Sequence, residues 1–172
     1  MAGIFFTCLL QGALLLAIML AEPVANGAGV PHPAFPGMLM GGDGSARLAM
    51  IGAYAFLFQS LLLLLIVLFC LLGINEKDRS PALLGAMLAS FLFSLFCWWQ
   101  MVAGHQAYME TGETGYFLGF PTATAWQVYG TWAGALPLII IYSLGFRKFI
   151  LTEAEEETFN ELVREVQDKE VP

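Results

Sequence analysis

Residues 57–74 read LFQSLLLLLIVLFCLLGI, in which fourteen of the eighteen residues are Leu, Ile, Val or Phe. Each of these side chains favours the centre of a bilayer by about 0.3–0.6 kcal/mol, so together they outweigh the cost of Gln59 and Ser60 several-fold. A helix needs about 17–25 apolar residues to cross the hydrocarbon layer, a length that this segment reaches. The sequence therefore predicts a transmembrane helix over residues 48–74.

Three further apolar segments have a spanning length, and they cover residues 4–21, 82–103 and 124–146. Residues 4–21 have the length of either a cleaved signal peptide or a retained helix, and the lack of a preceding Lys or Arg favours the helix. Only 12% of the 172 residues are charged, against about 25% in soluble domains. The sequence predicts an all-α membrane protein, with a four-transmembrane-helix bundle in residues 1–150.

The segment 151–172 is distinct from the bundle because its eight acids and two bases carry −6 of the formal net charge of −7. Thr152 and Glu155 have the spacing of a capping box, which predicts that a short amphipathic helix begins there. An apolar stripe follows at helical spacing and consists of Phe159, Leu162, Val163 and Val166. Anionic lipids repel an acidic helix, so we expect the stripe to dock on a protein partner or on this protein's own loop. A solvated tail is the alternative.

Basic residues in the loops predict the orientation of the spans. Lys77 and Arg79 lie between the second and third spans. Arg147 and Lys148 follow the fourth span, whereas the other two loops hold only Arg47. The positive-inside rule then places both termini in the cytoplasm, and we expect a multi-pass protein of the bacterial inner membrane. No basic stripe is present, so the sequence predicts no nucleic-acid partner.

Small residues at four-residue spacing mark candidate sites of helix packing. Lipid supplies no hydrophobic drive between helices, so close contact depends on such residues. Gly130 and Gly134 form a GxxxG pattern in the fourth span, and Gly85 and Ala89 repeat the spacing in the third. We expect these four residues to lie at contacts between helices or with a partner subunit.

The sequence holds few candidates for a metal, cofactor or catalytic site. His32 and His105 are the only histidines, lie in different loops, and with nearby Met and Glu residues form the one candidate copper or zinc site. The spans carry no Asp, Glu, Lys, Arg or His at mid-depth, which argues against a carrier that couples ions by itself. We predict no catalytic residues and no cofactor.

Residues 75–152 contain a series of short charged and aromatic motifs, which are Glu76-Lys77-Asp78-Arg79, Trp98-Trp99, Tyr116-Phe117-Leu118-Gly119-Phe120-Pro121, Trp126 and Arg147-Lys148. With these motifs the segment resembles the small accessory subunits of bacterial sodium:solute symporters. Those subunits have two helices, so the first two spans and the acidic tail depart from their pattern. The resemblance implies an auxiliary role beside a large transporter subunit that holds the substrate and sodium sites.

We therefore expect a non-catalytic accessory subunit of a membrane complex, and the resemblance implies that the complex is a transporter of the sodium:solute symporter type. Its partners would be the lipid bilayer and a larger multi-span membrane protein. Two alternatives remain open at this point. One is a membrane anchor or accessory subunit of a respiratory redox complex, and the other is a small homo-oligomeric channel or metal carrier.

Overall fold

The computed structural model describes residues 1–42 and 44–170, the last three of these by their backbone alone. Within this part of the chain the protein is built from five helices, which are α1 (Ala2–Met19), α2 (Gly44–Leu72), α3 (Pro81–Thr111), α4 (Thr122–Ile150) and α5 (Glu153–Glu170). Two antiparallel hairpins join them, formed by β1 (Val30–Pro31) with β2 (Leu39–Met40) and by β3 (Tyr116–Phe117) with β4 (Phe120–Pro121). Asp43, in the predicted first outer loop, and the last two residues of the predicted tail lie outside the described residues.

Helices α1 to α4 are each long and apolar enough to cross a membrane, as the sequence predicts. The largest difference lies in α3, which continues past the predicted end at residue 103 to Thr111. Its boundaries follow local chemistry: the Ser80 hydroxyl accepts a hydrogen bond from the Leu83 amide at the start. Gly112 ends the helix with a φ of 71°, a left-handed conformation that glycine adopts without steric cost.

The four long helices run antiparallel to their sequence neighbours. Gly3 faces Leu68 across the contact between α1 and α2. The Trp98 indole of α3 donates to the Phe56 carbonyl of α2 over 3.2 Å. Ser94 of α3 likewise donates to Gly134 of α4 over 3.0 Å. The two hairpins therefore lie at one end of the molecule, here called the hairpin end. The α2–α3 turn and the start of α5 lie at the other, the turn end.

Helices α2, α3 and α4 enclose the core, which lies toward the turn end. Its buried members are Val67, Ile74, Leu83 and Met87. The Tyr142 hydroxyl of α4 donates to the Cys70 carbonyl of α2. Cys70 is in the last turn of α2, where helix carbonyls lack backbone partners, so this contact ties α4 to the end of α2.

Helix α1 packs along α2 and makes at most marginal contact with α3 or α4 in the described chain. Thr7 is the one residue of α1 that is buried by the described residues. Large apolar side chains on its other faces, such as Phe6 at 66% and Leu16 at 59%, are exposed. The four helices are therefore not equivalent, since three form a core and the first adds to its outside.

Candidate functional site

A cavity of about 280 Å³ lies between α2, α3 and α4, near the middle of these helices. Most of its lining is aliphatic or aromatic. The side chains in the lining that can form hydrogen bonds include Gln59, Ser94, Trp98, Trp126 and Thr131. These groups suit the recognition of a largely apolar molecule with one polar substituent.

Two glycines of α4 allow α3 to approach closely on one side of the cavity. A Cβ atom at Gly130 would lie 3.4 Å from the Cβ of Cys97, and one at Gly134 would lie 3.2 Å from the Ser94 hydroxyl oxygen. Both glycines are buried. The GxxxG pattern of the fourth span thus lies at the contact between α3 and α4.

Gly85 and Ala89 do not lie at a contact between the described helices, so of the two arrangements expected for them only a contact with a partner subunit stays a prediction. Both residues are exposed, and a Cβ atom at Gly85 would meet no described atom within 4 Å. The packed side of α3 is instead the one that carries Leu83, Met87 and Ser90. Four-residue spacing is common to both pairs, so the face on which each pair lies decides its role.

The cavity opens sideways between α2 and α4. Ile66 on α2 and Thr131 and Ala135 on α4 line it and are exposed. These two helices are joined at the turn end by Tyr142 and Cys70, and their backbones make at most marginal contact with each other in the described chain. The cavity therefore opens at the side of the helix bundle, between two helices, and not at either end.

The back wall of the cavity is held in place by Trp98 of α3. Its indole donates to the Phe56 carbonyl over 3.2 Å, and its ring stacks on the Phe56 ring with centroids 6.0 Å apart. The neighbouring part of α4, Trp126–Gly130, is a turn of π-helix. Such turns widen a helix locally and occur frequently at functional sites.

Gln59 lies near the middle of α2 with its side chain at the cavity. Its amide makes no hydrogen bond to another described residue and is accessible from the cavity, since it is not among the buried polar atoms without a partner. An amide taken out of water without a hydrogen bond costs roughly 2–7 kcal/mol, depending on the reference state. The amide offers two donors and one acceptor. A ligand that forms a hydrogen bond with it would therefore be favoured in the cavity.

A second cluster of polar contacts fixes the start of α5 at the turn end. Glu155 accepts from Lys77 over 2.8 Å and from Asn75 over 3.3 Å. Its other oxygen accepts from the amide and the hydroxyl of Thr152, and its own amide donates to the Thr152 hydroxyl. The capping box therefore forms, and the same carboxylate docks the helix on the α2–α3 turn. We call this cluster the latch: Asn75, Lys77, Thr152 and Glu155.

The charges of the latch shift the titration of both partners. The hydrogen bond from Lys77, followed by those from Thr152, lowers the pKa of Glu155 from 4.5 to about 2. The hydrogen bond to Glu155 and its charge raise the pKa of Lys77 above 10.5. Beside the latch, Arg147 forms an ion pair with Glu156. Two of the basic residues that predict the orientation are thus paired with acids of α5.

The apolar stripe of α5 is left uncovered beyond the latch. Phe159, Leu162, Val163 and Val166 are 37–64% exposed. The base of α5 contacts the protein's own α2–α3 turn, which is one of the two docking arrangements expected for the tail. The stripe, in contrast, is not buried by any of the described residues. The stripe is therefore available for another surface.

The two histidines lie in separate surroundings. The Nδ1 atom of His32 accepts hydrogen bonds from the amides of Ala34 and Phe35 within its own hairpin. His105 is exposed near the end of α3. Among the described residues, no group of three or more His, Cys, Asp or Glu side chains is placed to hold a metal ion.

Comparisons with protein-family models, curated proteins and solved structures find no match for this chain. Two features of the structure bear on function, namely the cavity and the latched helix α5 with its uncovered stripe. The cavity is the site that the sequence does not predict, because its lining comes from three helices. Its one signal in the sequence is Gln59, a lone amide in the most apolar stretch of the chain.

Proposed function

We propose that this protein is a non-catalytic accessory subunit of a membrane complex, whose larger multi-span partner is a transporter of the sodium:solute symporter type. The accessory role rests on the arrangement of α5, and the type of partner rests on the resemblance of residues 75–152. In this proposal the substrate and sodium sites belong to the partner, and this chain supplies a docking surface.

The observation that supports the accessory role is that α5 is fixed at its base and uncovered along its apolar stripe. A free tail would present its apolar residues in no defined orientation. The latch instead holds the first turn on the α2–α3 turn through Glu155 and Lys77. A preorganised stripe binds with a smaller loss of conformational entropy than a disordered one.

The charge of α5 specifies the chemistry of its partner. Glu157, Glu161 and Glu165 accompany the stripe on this helix. An apolar surface edged with Lys or Arg complements this pattern, and such charge complementarity favours specific association. We propose that the partner's cytoplasmic face presents this surface.

We further propose that the turn end lies in the cytoplasm and the hairpin end outside, in a bacterial inner membrane. The four basic residues of the turn end support this orientation under the positive-inside rule. Accessibility labelling of single cysteines at Glu76 and at Thr114 tests it. Labelling of Glu76 from outside intact cells would contradict the proposed orientation.

Purification in a mild detergent tests the accessory role. We expect a multi-span protein with a basic cytoplasmic surface to co-purify at fixed stoichiometry with the wild type. The double variant Phe159→Ser/Leu162→Ser should lose it, because the substitutions remove the stripe. Asn160→Ser, an exposed position beside the stripe, is the matched control and should retain it.

Two results would contradict the proposal. One is a monomeric chain that catalyses transport by itself in liposomes. The other is a partner that stays bound in the stripe variant, which would place the docking surface elsewhere. A haem absorbance spectrum in the purified complex would instead favour the alternative of a respiratory redox complex.

A further inference from the structure

We propose that the cavity between α2, α3 and α4 binds a small, lipid-soluble aromatic molecule that carries one hydrogen-bonding oxygen. Such a molecule would enter from the bilayer and place its oxygen against the Gln59 amide. This inference concerns a different site from α5 and stands independently of the accessory role.

The size of the cavity sets the scale of the ligand. A dry cavity of about 150 Å³ in a protein core accommodates a benzene ring. The present cavity, at about 280 Å³, has room for a substituted ring. Phe91, Trp98 and Trp126 are among its lining residues, and aromatic rings prefer to pack on one another edge-to-face or offset.

The polar groups of the cavity define the position of the oxygen. Helices α2 and α4 run parallel to each other, with Cys70 level with Tyr142. Gln59 of α2 and Thr131 of α4 line the same cavity. Ser94 lies at a similar depth because it bonds to Gly134 on α4. The side chains that can bond to a ligand are thus gathered around one cavity.

Gln59 is an unpaired polar group of the lining. The Ser94 hydroxyl already donates to Gly134 and the Trp98 indole to Phe56. The Gln59 amide, like the Trp126 indole and the Thr131 hydroxyl, has no such bond among the described residues, and it is the one of these three that lies in the most apolar part of the chain. A phenol or aromatic carbonyl would satisfy it, whereas a lipid acyl chain would not.

The lateral opening fits a ligand that partitions into lipid. Its rim consists of Ile66, Thr131 and Ala135, which are exposed. A molecule dissolved in the bilayer would reach the cavity between α2 and α4 without crossing the polar ends of the helices. Water-soluble ligands would have no comparable route.

The test uses two probes of nearly the same shape, para-iodophenol and para-iodotoluene, with the purified full chain in lipid nanodiscs. Iodine quenches tryptophan fluorescence on contact, so Trp98 and Trp126 report occupancy. The exposed Trp99 and Trp132 are replaced by Phe to remove their background. The ratio of the half-saturation concentrations of the two probes is then compared between variants, which cancels their different partitioning into lipid.

We expect saturable quenching by para-iodophenol, and a preference over para-iodotoluene that falls about fivefold to tenfold in Gln59→Leu, since one net hydrogen bond is lost. Gln127→Leu, which removes an exposed amide outside the cavity lining, should keep the preference. Ala135→Leu should weaken both probes by narrowing the opening. If Gln59→Leu does not fold, Gln59→Met provides the same comparison.

Two outcomes would overturn the inference. Quenching that does not saturate would show that the probes only collide with the protein from the lipid. Saturable quenching that is equal for both probes, or a preference that survives in Gln59→Leu, would show an apolar void without polar recognition.

Discussion

The turn end of the α2–α3–α4 core and its middle are built from the same three helices but pack differently. At the turn end, Met87 is 1% exposed and lies among Val67, Ile74 and Leu83. In the middle, α3 still contacts α2 and α4, but a cavity lies among the three helices. One region is thus closed by interdigitated aliphatic side chains, and the other is left open.

The closed and open regions differ in which neighbouring helix α4 contacts. Tyr142 joins α4 to α2 at the turn end. Farther along, Gly130 and Gly134 bring α4 close to α3 instead. At the glycines α4 thus packs against α3, and the cavity lies beside this contact, with lining residues from α2 and α4.

The largest expected effect distinguishes the closed region from the open one. Met87→Ala should lower the free energy of unfolding by about 2–5 kcal/mol, as for buried large-to-small substitutions in other cores. Leu63→Ala should cost clearly less, because Leu63 lines the cavity and already lacks neighbours on one side. Unfolding in mixed micelles measures the free energy of unfolding of both variants. Equal losses in Met87→Ala and Leu63→Ala would contradict the difference between the closed and the open region.

The two glycine positions provide the next test. Gly134→Leu should lower the free energy of unfolding by about 1–3 kcal/mol or more, because the new side chain overlaps Ser94. Gly85→Leu introduces the same side chain where no neighbour lies within 4 Å, and should leave the isolated chain as stable or stabilise it by up to about 1 kcal/mol, because leucine favours the helix more than glycine does. A large loss in Gly85→Leu would show that this face is packed.

A smaller effect is expected at the contact that joins α4 to α2. Tyr142→Phe removes one hydroxyl and leaves the Cys70 carbonyl without that donor. Hydrogen bonds between transmembrane helices average about 0.6 kcal/mol, so the loss should be of this size. The same unfolding measurement checks it, with Tyr54→Phe as the control, because the exposed Tyr54 hydroxyl bonds to no other described residue.

The smallest effect on the core is expected from the latch. Glu155→Gln should leave the unfolding of the core unchanged but speed amide hydrogen exchange in residues 153–158, because Lys77 loses its charged partner. Exposed ion pairs are weak and screened by salt. Glu161→Gln, farther along α5, should leave the exchange as in the wild type.

The latch should also respond to pH in a defined direction. Since the pKa of Glu155 falls from 4.5 to about 2 on docking, its contribution is complete above pH 4.5 and is lost as the pH falls toward 2. The raised pKa of Lys77 adds a loss above pH 10.5. Exchange rates of α5, corrected for the intrinsic effect of pH, should be flat between these limits. A transition near pH 7 would contradict this assignment.

The sequence predicts the long helices because their signal is additive along the chain. Each apolar residue of a span contributes separately to partitioning, so no knowledge of neighbours is needed. The capping box of Thr152 and Glu155 is equally local, and both of its hydrogen bonds form. The end of α3 was missed because apolar content falls before the helix ends, whereas Gly112 marks the true boundary.

Contacts between segments depend on which faces meet, and the sequence does not contain that information in any single stretch. Gly130-Gly134 and Gly85-Ala89 have the same spacing, yet one pair is packed and the other faces outward. Lys77 and Glu155 are 78 residues apart, and only the folded chain brings them together. Apolar length and local capping were determined by the sequence alone. The cavity around Gln59 and the latch were decided by the tertiary structure, since they arise from side chains on different helices that meet only after packing.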